Sequence, residues 1–371
     1  MNIVITGGAG FLGVRLARAL LAQGTLSLAG QAPEAIDRLT LVDRASPPTD
    51  LLADARVKSE EGDLNALLQP GPVGTAAIPA GTDLVFHLAA AVSGECEADF
   101  DLGMRSNLDA TRALLEACRA LKTRPVVVFA SSLAVFGKVP GQDLPAVIED
   151  DTLPTPQSSY GIQKFIGEQL VADYARKGFV RGRNVRLMTV SVRPGRPNGA
   201  ASSFLSGMIR EPLAGQRAAC PVPADVTVAL SSPGRTIDGL LRTAQTSDAE
   251  WGPLTAMNLP ALHTRVGDMA AALARVAAMV PGQVLTTRMM AGSGVQSSRS
   301  VAAGPAPSPR RAPAHSACNP TPVLKTSFAT TCAKTRMRSV CRPKHNESCM
   351  TTLRAADFGP GRAPYHLRRL A

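Results

Sequence analysis

The sequence predicts a doubly wound α/β protein, a parallel sheet covered by helices on both faces, with a small C-terminal substrate cap. Three observations carry this prediction. Short, wholly apolar runs alternate with segments of helical period, the pattern of strands buried on both faces. A glycine-rich turn joins the first such run to the first helical segment. Apolar residues make up 45% of the chain and aromatics only 4%, so small aliphatic side chains must fill the space between helices and sheet.

Taken in order, "NIVITGG" (2–8) reads as a buried strand that ends in glycine. "FLGVRLARALLAQG" (11–24) is an amphipathic helix closed by Gly24. "LTLVDR" (39–44) is the second strand, and "RVKSEE" (56–61) a short further one. "DLVFHLAA" (83–90), "VVVFASS" (126–132) and "VRLMTVSVRPG" (185–195) supply the third, fourth and fifth main strands. Helical patterns such as "RSNLDATRALLEACRAL" (105–121) lie between them. Residues 1–196 therefore read as a cofactor domain. Residues 197–284 read as smaller mixed pieces forming the cap, with some strands returning to the main sheet.

After about residue 284 the periodicity stops. Four of the seven cysteines and three of the five histidines fall in 285–371, among Arg, Pro, Ser and Thr. A shifted reading frame in a GC-rich gene yields such a mixture, so this segment reads as an aberrant or disordered tail produced by a frameshift. It also holds the chain's charge. Residues 1–284 carry 26 Lys+Arg against 27 Asp+Glu, whereas 285–371 carry 14 against 2. The net +11 is thus a property of the tail, and the body has no basic stripe for nucleic acid. Met1 runs straight into the first strand without a charged-then-apolar leader, and no apolar run reaches membrane-spanning length. A cytoplasmic protein, with no membrane partner, is expected. The cysteines form no CxxC pair, and no metal site is expected.

The chemistry starts at "TGGAGFLG", Thr6–Gly13. It holds both Gly8-x-Gly10-x-x-Gly13 and Gly7-x-x-Gly10-x-x-Gly13, between the first strand and the first helix. Glycines there permit the tight turn, the close approach of a pyrophosphate and the packing of helix on strand. The helix N-terminus adds amide donors and partial positive charge. This is a Rossmann-type dinucleotide site. Asp43, ending the second strand, would accept bonds from an adenosine ribose and repel a 2′-phosphate, favouring NAD over NADP. Arg44 beside it is the opposing consideration. Asp63, in "GDL", is placed to reach the adenine or to be a solvated turn carboxylate. The small residues of "HLAA" let the backbone approach a cofactor, and His87 reads as a packed histidine.

Ser132 ends the fourth strand at the carboxyl edge of the sheet, where ligands bind. No Gly-x-Ser-x-Gly elbow surrounds it, so it does not read as a nucleophile. In "SSYGIQKFIGE" (158–168), Tyr160 and Lys164 share one helix face, one turn apart. A lysine near a phenol lowers a pKa that starts near ~10 and makes a general base. Alone, that spacing is equally an ordinary surface helix; its place beside the other motifs decides.

Together "TGGAGFLG", "HLAA", "SSLAVFG" and "YGIQK" resemble the extended short-chain dehydrogenase/reductases of the NAD-dependent epimerase/dehydratase family, over residues 1 to about 280. The resemblance implies hydride transfer to the nicotinamide of NAD. Tyr160 would take the alcohol proton, Lys164 would hold the ribose and lower the tyrosine pKa, and Ser132 would hydrogen-bond the substrate oxygen. Asn107 would order a water or a backbone group. Gly7, Gly10, Phe11, Leu12, Gly13, Asp43, Asp63, Leu64, Leu88, Ala89, Ala90 and Asn107, with Tyr160 and Lys164, would form the cofactor site. Phe136 departs from the tyrosine many members carry there, which leaves the triad intact.

A narrower likeness, carried by residues 90–117, 158–180 and 192–216, is to the branch that oxidises the 2-hydroxyl of D-erythronate. It implies a small sugar-acid substrate. Ser93, Ser132, Arg196 and Asn198, with Ser202 and Ser203, would meet its carboxylate and hydroxyls, and Arg193 would serve structure at the strand end. A uronate dehydrogenase or a nucleotide-sugar epimerase on the same scaffold is the alternative. So is an inactive NAD-binding product, because the branch completes its cap with a helical segment where this chain has its tail. Members often pair through two long helices, so a homodimer is expected.

Overall fold

A computed structural model of the chain describes residues 1–71, 74–195 and 199–278, and the backbone of 290–291. Arg196, Asn198 and nearly all of the segment read as a tail lie outside the described residues.

The strands of the two larger sheets are β1 (Asn2–Thr6), β2 (Arg38–Asp43), β3 (Val57–Glu61), β4 (Leu84–His87), β5 (Val126–Ser132), β6 (Arg181–Leu187), β7 (Thr189–Val190), β8 (Thr227–Ser231), β9 (Met257–Asn258) and β10 (Leu262–Arg265). Seven of them form one parallel sheet in the order β9-β6-β5-β4-β1-β2-β3. The order reverses between β1 and β4, and such a switch point opens a crevice at the carboxyl ends of the strands.

Alternation along β1 divides the core. Ile3 and Ile5 face a layer with Leu16 and Leu20 of α1 (Phe11–Gln23), whereas Val4 faces Leu114 and Leu115 of α2 (Ala110–Ala120) and Val171 of α3 (Ser159–Arg176). Each such aliphatic side chain, fully buried, contributes about 1.5–3 kcal/mol. Gly24 ends α1 at φ 68°, its N–H donating to the Leu20 carbonyl at 3.0 Å. That left-handed cap is the stop signal legible in the sequence. The insertion that follows is a small hairpin, Thr25–Ser27 against Pro33–Ala35, which buries Leu26 and Leu28 against the main core.

The predicted fifth strand is two strands in different sheets. β6 begins at Arg181 and ends at Leu187, while β7 pairs with β8 in a three-stranded sheet, β10-β8-β7. The early start was hidden because β6 reads "RGRNVRL", yet Arg183, Asn184 and Arg186 are all buried. Helices α4 (Ser203–Leu213) and α6 (Val266–Ala278) accompany the small sheet, with Leu205, Met208, Leu230, Val266 and Met269 as its apolar cluster. Helix α5 (Pro233–Gln245) instead sends Ile237, Leu240 and Leu241 into the main core, and β9 joins the main sheet beside β6.

Candidate active site

A cavity of about 540 Å³ lies along the carboxyl ends of β1, β2, β4 and β5. At its floor, Gly7 adopts φ 72°, and a Cβ there would stand 2.9 Å from the Ala89 amide. A Cβ on Gly13 would come within 2.1 Å of the Gly7 carbonyl. Gly10 caps α1 without a side chain, so the first amides of the helix, which lack intrahelical acceptors, face the cavity unobstructed. The backbone cradle is one that side chains would fill, and it fits a dinucleotide pyrophosphate.

Asp43 stands at the end of β2 with one carboxylate oxygen accepting from Ala9 N at 3.1 Å and the other from Ala45 N at 3.2 Å. Arg44 is held by Asp63, and that guanidinium is the main reason the Asp63 carboxyl lies below its usual range. Asp63 also caps the short helix Leu64–Leu67 through Asn65 N. An arginine already engaged by a carboxylate is poorly placed to welcome a 2′-phosphate, and the arrangement fits an unphosphorylated ribose.

Behind the β4 end runs a buried polar chain. Thr6 Oγ1 meets His87 Nδ1 at 2.7 Å, His87 Nε2 meets Thr111 Oγ1 at 3.0 Å, and Thr111 donates to the Asn107 carbonyl at 2.6 Å. Burial, with a smaller contribution from Lys164, pushes His87 down to about 3, so the ring is neutral and structural. Asn107 sits in a π-helical turn, Met104–Asp109. Its side chain accepts from Ala91 N at 2.8 Å and donates to Gln163 Oε1 at 2.8 Å. It fixes the loop after β4 from behind and does not line the cavity.

At the far end, Ser132 and Tyr160 line the cavity together, and the serine hydroxyl favours the ionised phenol. Tyr160 opens α3, whose cap is the Ser158 hydroxyl accepting from Gly161 N at 3.1 Å. Gly161 is required there, because a Cβ would lie 2.2 Å from the Ala134 carbonyl. Lys164, one turn on, donates to the Ala130 carbonyl at 2.8 Å, and its Nζ lies 5.8 Å from the Tyr160 ring centroid. Desolvation pushes the phenol up to about 12; Ser132 and Arg193 pull it back, while Cys96 adds to the rise. Desolvation pushes Lys164 down to about 8. Arg193 is a cation that favours the ionised phenol, opposing its burial.

Gly7, Gly10, Phe11, Leu12, Gly13, Asp43, Asp63, Leu64, Leu88, Ala89, Ala90, Ser132, Tyr160 and Lys164 all line this one cavity. Ser93 does not; its hydroxyl accepts from Ala201 N at 3.0 Å and ties the loop after β4 to the segment before α4. Sequence reasoning missed Asn65, Glu95, Ser106 and Met188, and assigned Arg193 to structure alone, yet each lines the cavity. For Arg193 a signal was present: it lies near the end of the predicted fifth strand, at the same edge as Ser132. Glu168, the last residue of the "SSYGIQKFIGE" stretch, is fully buried and bonded by Arg186 Nε and Nη2, each at 2.9 Å, and by Ser131 Oγ at 2.6 Å.

Residues 3–229 match the sequence model of the NAD dependent epimerase/dehydratase family. A protein of Cupriavidus necator named D-erythronate dehydrogenase is 54% identical over 279 residues, which is 75% of this chain and 82% of that protein. One of the same name from Haemophilus influenzae is 43% identical over 279 residues, 74% of this chain and 82% of that protein. Among solved structures, a nucleoside-diphosphate-sugar epimerase from Agrobacterium tumefaciens superposes with a TM-score of 0.66 at 41% identity, covering 75% of this chain and 78% of that one.

Proposed function

The chain belongs to the NAD-dependent epimerase/dehydratase family, and from that premise we propose that it oxidises the 2-hydroxyl of D-erythronate to 2-oxo-D-erythronate. The observation that carries the reading is the 54% identity with a D-erythronate dehydrogenase over 279 residues. The cofactor is NAD, which when bound accepts the hydride from C2 of the substrate.

The residues divide the remaining work. Tyr160, whose phenolate form Ser132 and Arg193 favour against its burial, takes the hydroxyl proton and passes it on to water, so one hydride and one proton leave the alcohol. Ser132, which lines the cavity with Tyr160, holds the substrate oxygen beside it. Lys164, fixed on the Ala130 carbonyl, supports the ribose side. The Gly7–Gly13 turn and the amides of α1 hold the pyrophosphate, and Asp43 the adenosine ribose. Asn107 keeps the loop after β4 in place.

Product analysis tests this directly. NAD and D-erythronate should give NADH and a 2-oxo acid in equal amounts, the acid trapped as its quinoxalinone and identified by mass. The 41% identity with the Agrobacterium nucleoside-diphosphate-sugar epimerase keeps epimerisation as the second reading. Conversion of a nucleotide sugar without net NADH would establish it instead.

We further propose a homodimer through α2 and α3. Ile162 and Ile166 on α3, and Phe100 in the short helix Phe100–Gly103 ahead of the turn into α2, are large apolar side chains left exposed, at 46, 38 and 60%. Sedimentation should give a dimer that Ile166→Glu dissociates; a monomeric wild type would contradict it.

A further inference from the structure

We infer that Arg193 binds the substrate's carboxylate and thereby selects the carbon next to it for oxidation. This rests on the proposed function, in which the substrate is a short 2-hydroxy acid.

Three cations line the cavity among the described residues: Arg44, Lys164 and Arg193. Arg44 is engaged by Asp63 at the adenosine end, and Lys164, anchored on the Ala130 carbonyl, is assigned to the ribose. Arg193 has no carboxylate partner among the described residues. Its backbone is held at both ends: its N–H donates to Ser206 Oγ at 3.0 Å, and its carbonyl accepts from Arg210 Nη1 at 2.8 Å. Its Nε donates to the Val190 carbonyl at 3.2 Å. Among the described residues this uses one of five guanidinium N–H groups and orients the fork, leaving the paired terminal donors a carboxylate requires.

Position adds the selectivity. Arg193 and Tyr160 share the reaction end of the cavity and act on each other electrostatically. In a 2-hydroxy acid the carboxylate carbon is bonded directly to C2, so the anion's anchor and the base for the 2-hydroxyl must be neighbours. Removing a proton from the 3- or 4-hydroxyl would require the anchor to stand further off. Glu95 lines the same cavity, one carboxylate oxygen accepting from Val92 N at 3.0 Å.

The test compares wild type, Arg193→Met and Arg193→Lys as full chains. For Arg193→Met, KM for D-erythronate should rise about 100-fold, the scale of losing a charge-assisted bidentate contact, while the Kd for NADH stays within about 2-fold. The preference for D-erythronate over its neutral tetritol should collapse, and added methylguanidinium should restore part of the loss. Arg193→Lys, which keeps the charge but not the fork, should fall between the two. Binding of D-erythronate to the enzyme–NADH complex, followed by NADH fluorescence, reads the same contact without turnover. An unchanged KM or an unchanged ternary affinity overturns the inference, as does a loss of NADH affinity in parallel. A wild type that turns over a different short 2-hydroxy acid, with the same Arg193→Met defect, sinks D-erythronate as substrate and upholds Arg193. A wild type that oxidises only neutral alcohols overturns both.

Discussion

Lys164 Nζ donates to the Ala130 carbonyl at 2.8 Å and stands 5.8 Å from the ring of Tyr160, one helical turn away. The lysine is buried, with 3% of its surface exposed. Desolvation opposes charge on both groups, pushing the ammonium down to about 8 and the phenol up to about 12.

The lysine makes stability depend on pH. Its folded pKa lies below the ordinary 10.5, so between about 8 and 10.5 the unfolded chain binds more protons and stability rises with pH. Relative to Lys164→Met, the wild type should gain up to roughly 3 kcal/mol across that window. Urea unfolding of both proteins at pH 7 and pH 10.5 checks this, and a difference that stays constant would count against it.

Asp43 should govern the choice of dinucleotide. Arg44 is engaged by Asp63, so the carboxylate of Asp43 is the dominant charge the ribose meets. Asp43→Ala should narrow the NAD-over-NADP preference in kcat/KM by about 10-fold or more, which corresponds to ~1.4 kcal/mol. Steady-state kinetics with both dinucleotides provides the measurement.

Gly13→Ala should damage the cofactor cradle. The added Cβ would meet the Gly7 carbonyl at 2.1 Å, and backbone cannot yield as a side chain can. A loss of about 1–3 kcal/mol in stability, together with weakened NADH binding, is expected from denaturation and fluorescence titration.

Glu168→Gln should be severely destabilising. Glu168 and Arg186 are 0% and 3% exposed and doubly hydrogen-bonded. Breaking such a pair leaves a buried charge unmatched and costs about 3–5 kcal/mol. The double variant Glu168→Met/Arg186→Met should recover most of this loss. If the single variant is as stable as wild type, the pair carries no such weight.

What could be read from the sequence follows from where the signal is local. The wholly apolar strands announce themselves because burial on both faces leaves no alternation to disguise. The glycine turn does so because only that residue type fits, as at Gly7 and Gly13. Tyr160 and Lys164 declare their shared face through spacing alone. β6 was legible only in its second half, because its buried Arg183 and Arg186 are neutralised by Asp248 and Glu168, partners far away in sequence. β9 has two residues and is held by pairing with β6, so no propensity marks it. Asn107 looked like a ligand of the cofactor region but works from behind, since its π-helical turn directs it at the Ala91 backbone. Arg193 was legible in its place at the sheet edge, but not in what orients it: bonds to the Val190 carbonyl, three residues back, and to Ser206 of α4.

The most direct measurement is the initial rate of NADH formation from NAD and D-erythronate by the wild type and by Tyr160→Phe. The proposed roles predict a measurable rate that falls by about 1000-fold in the variant, within the range for loss of a general base, with NADH binding retained. A Tyr160→Phe protein that forms NADH at the wild-type rate would contradict the assignment of Tyr160 as the base.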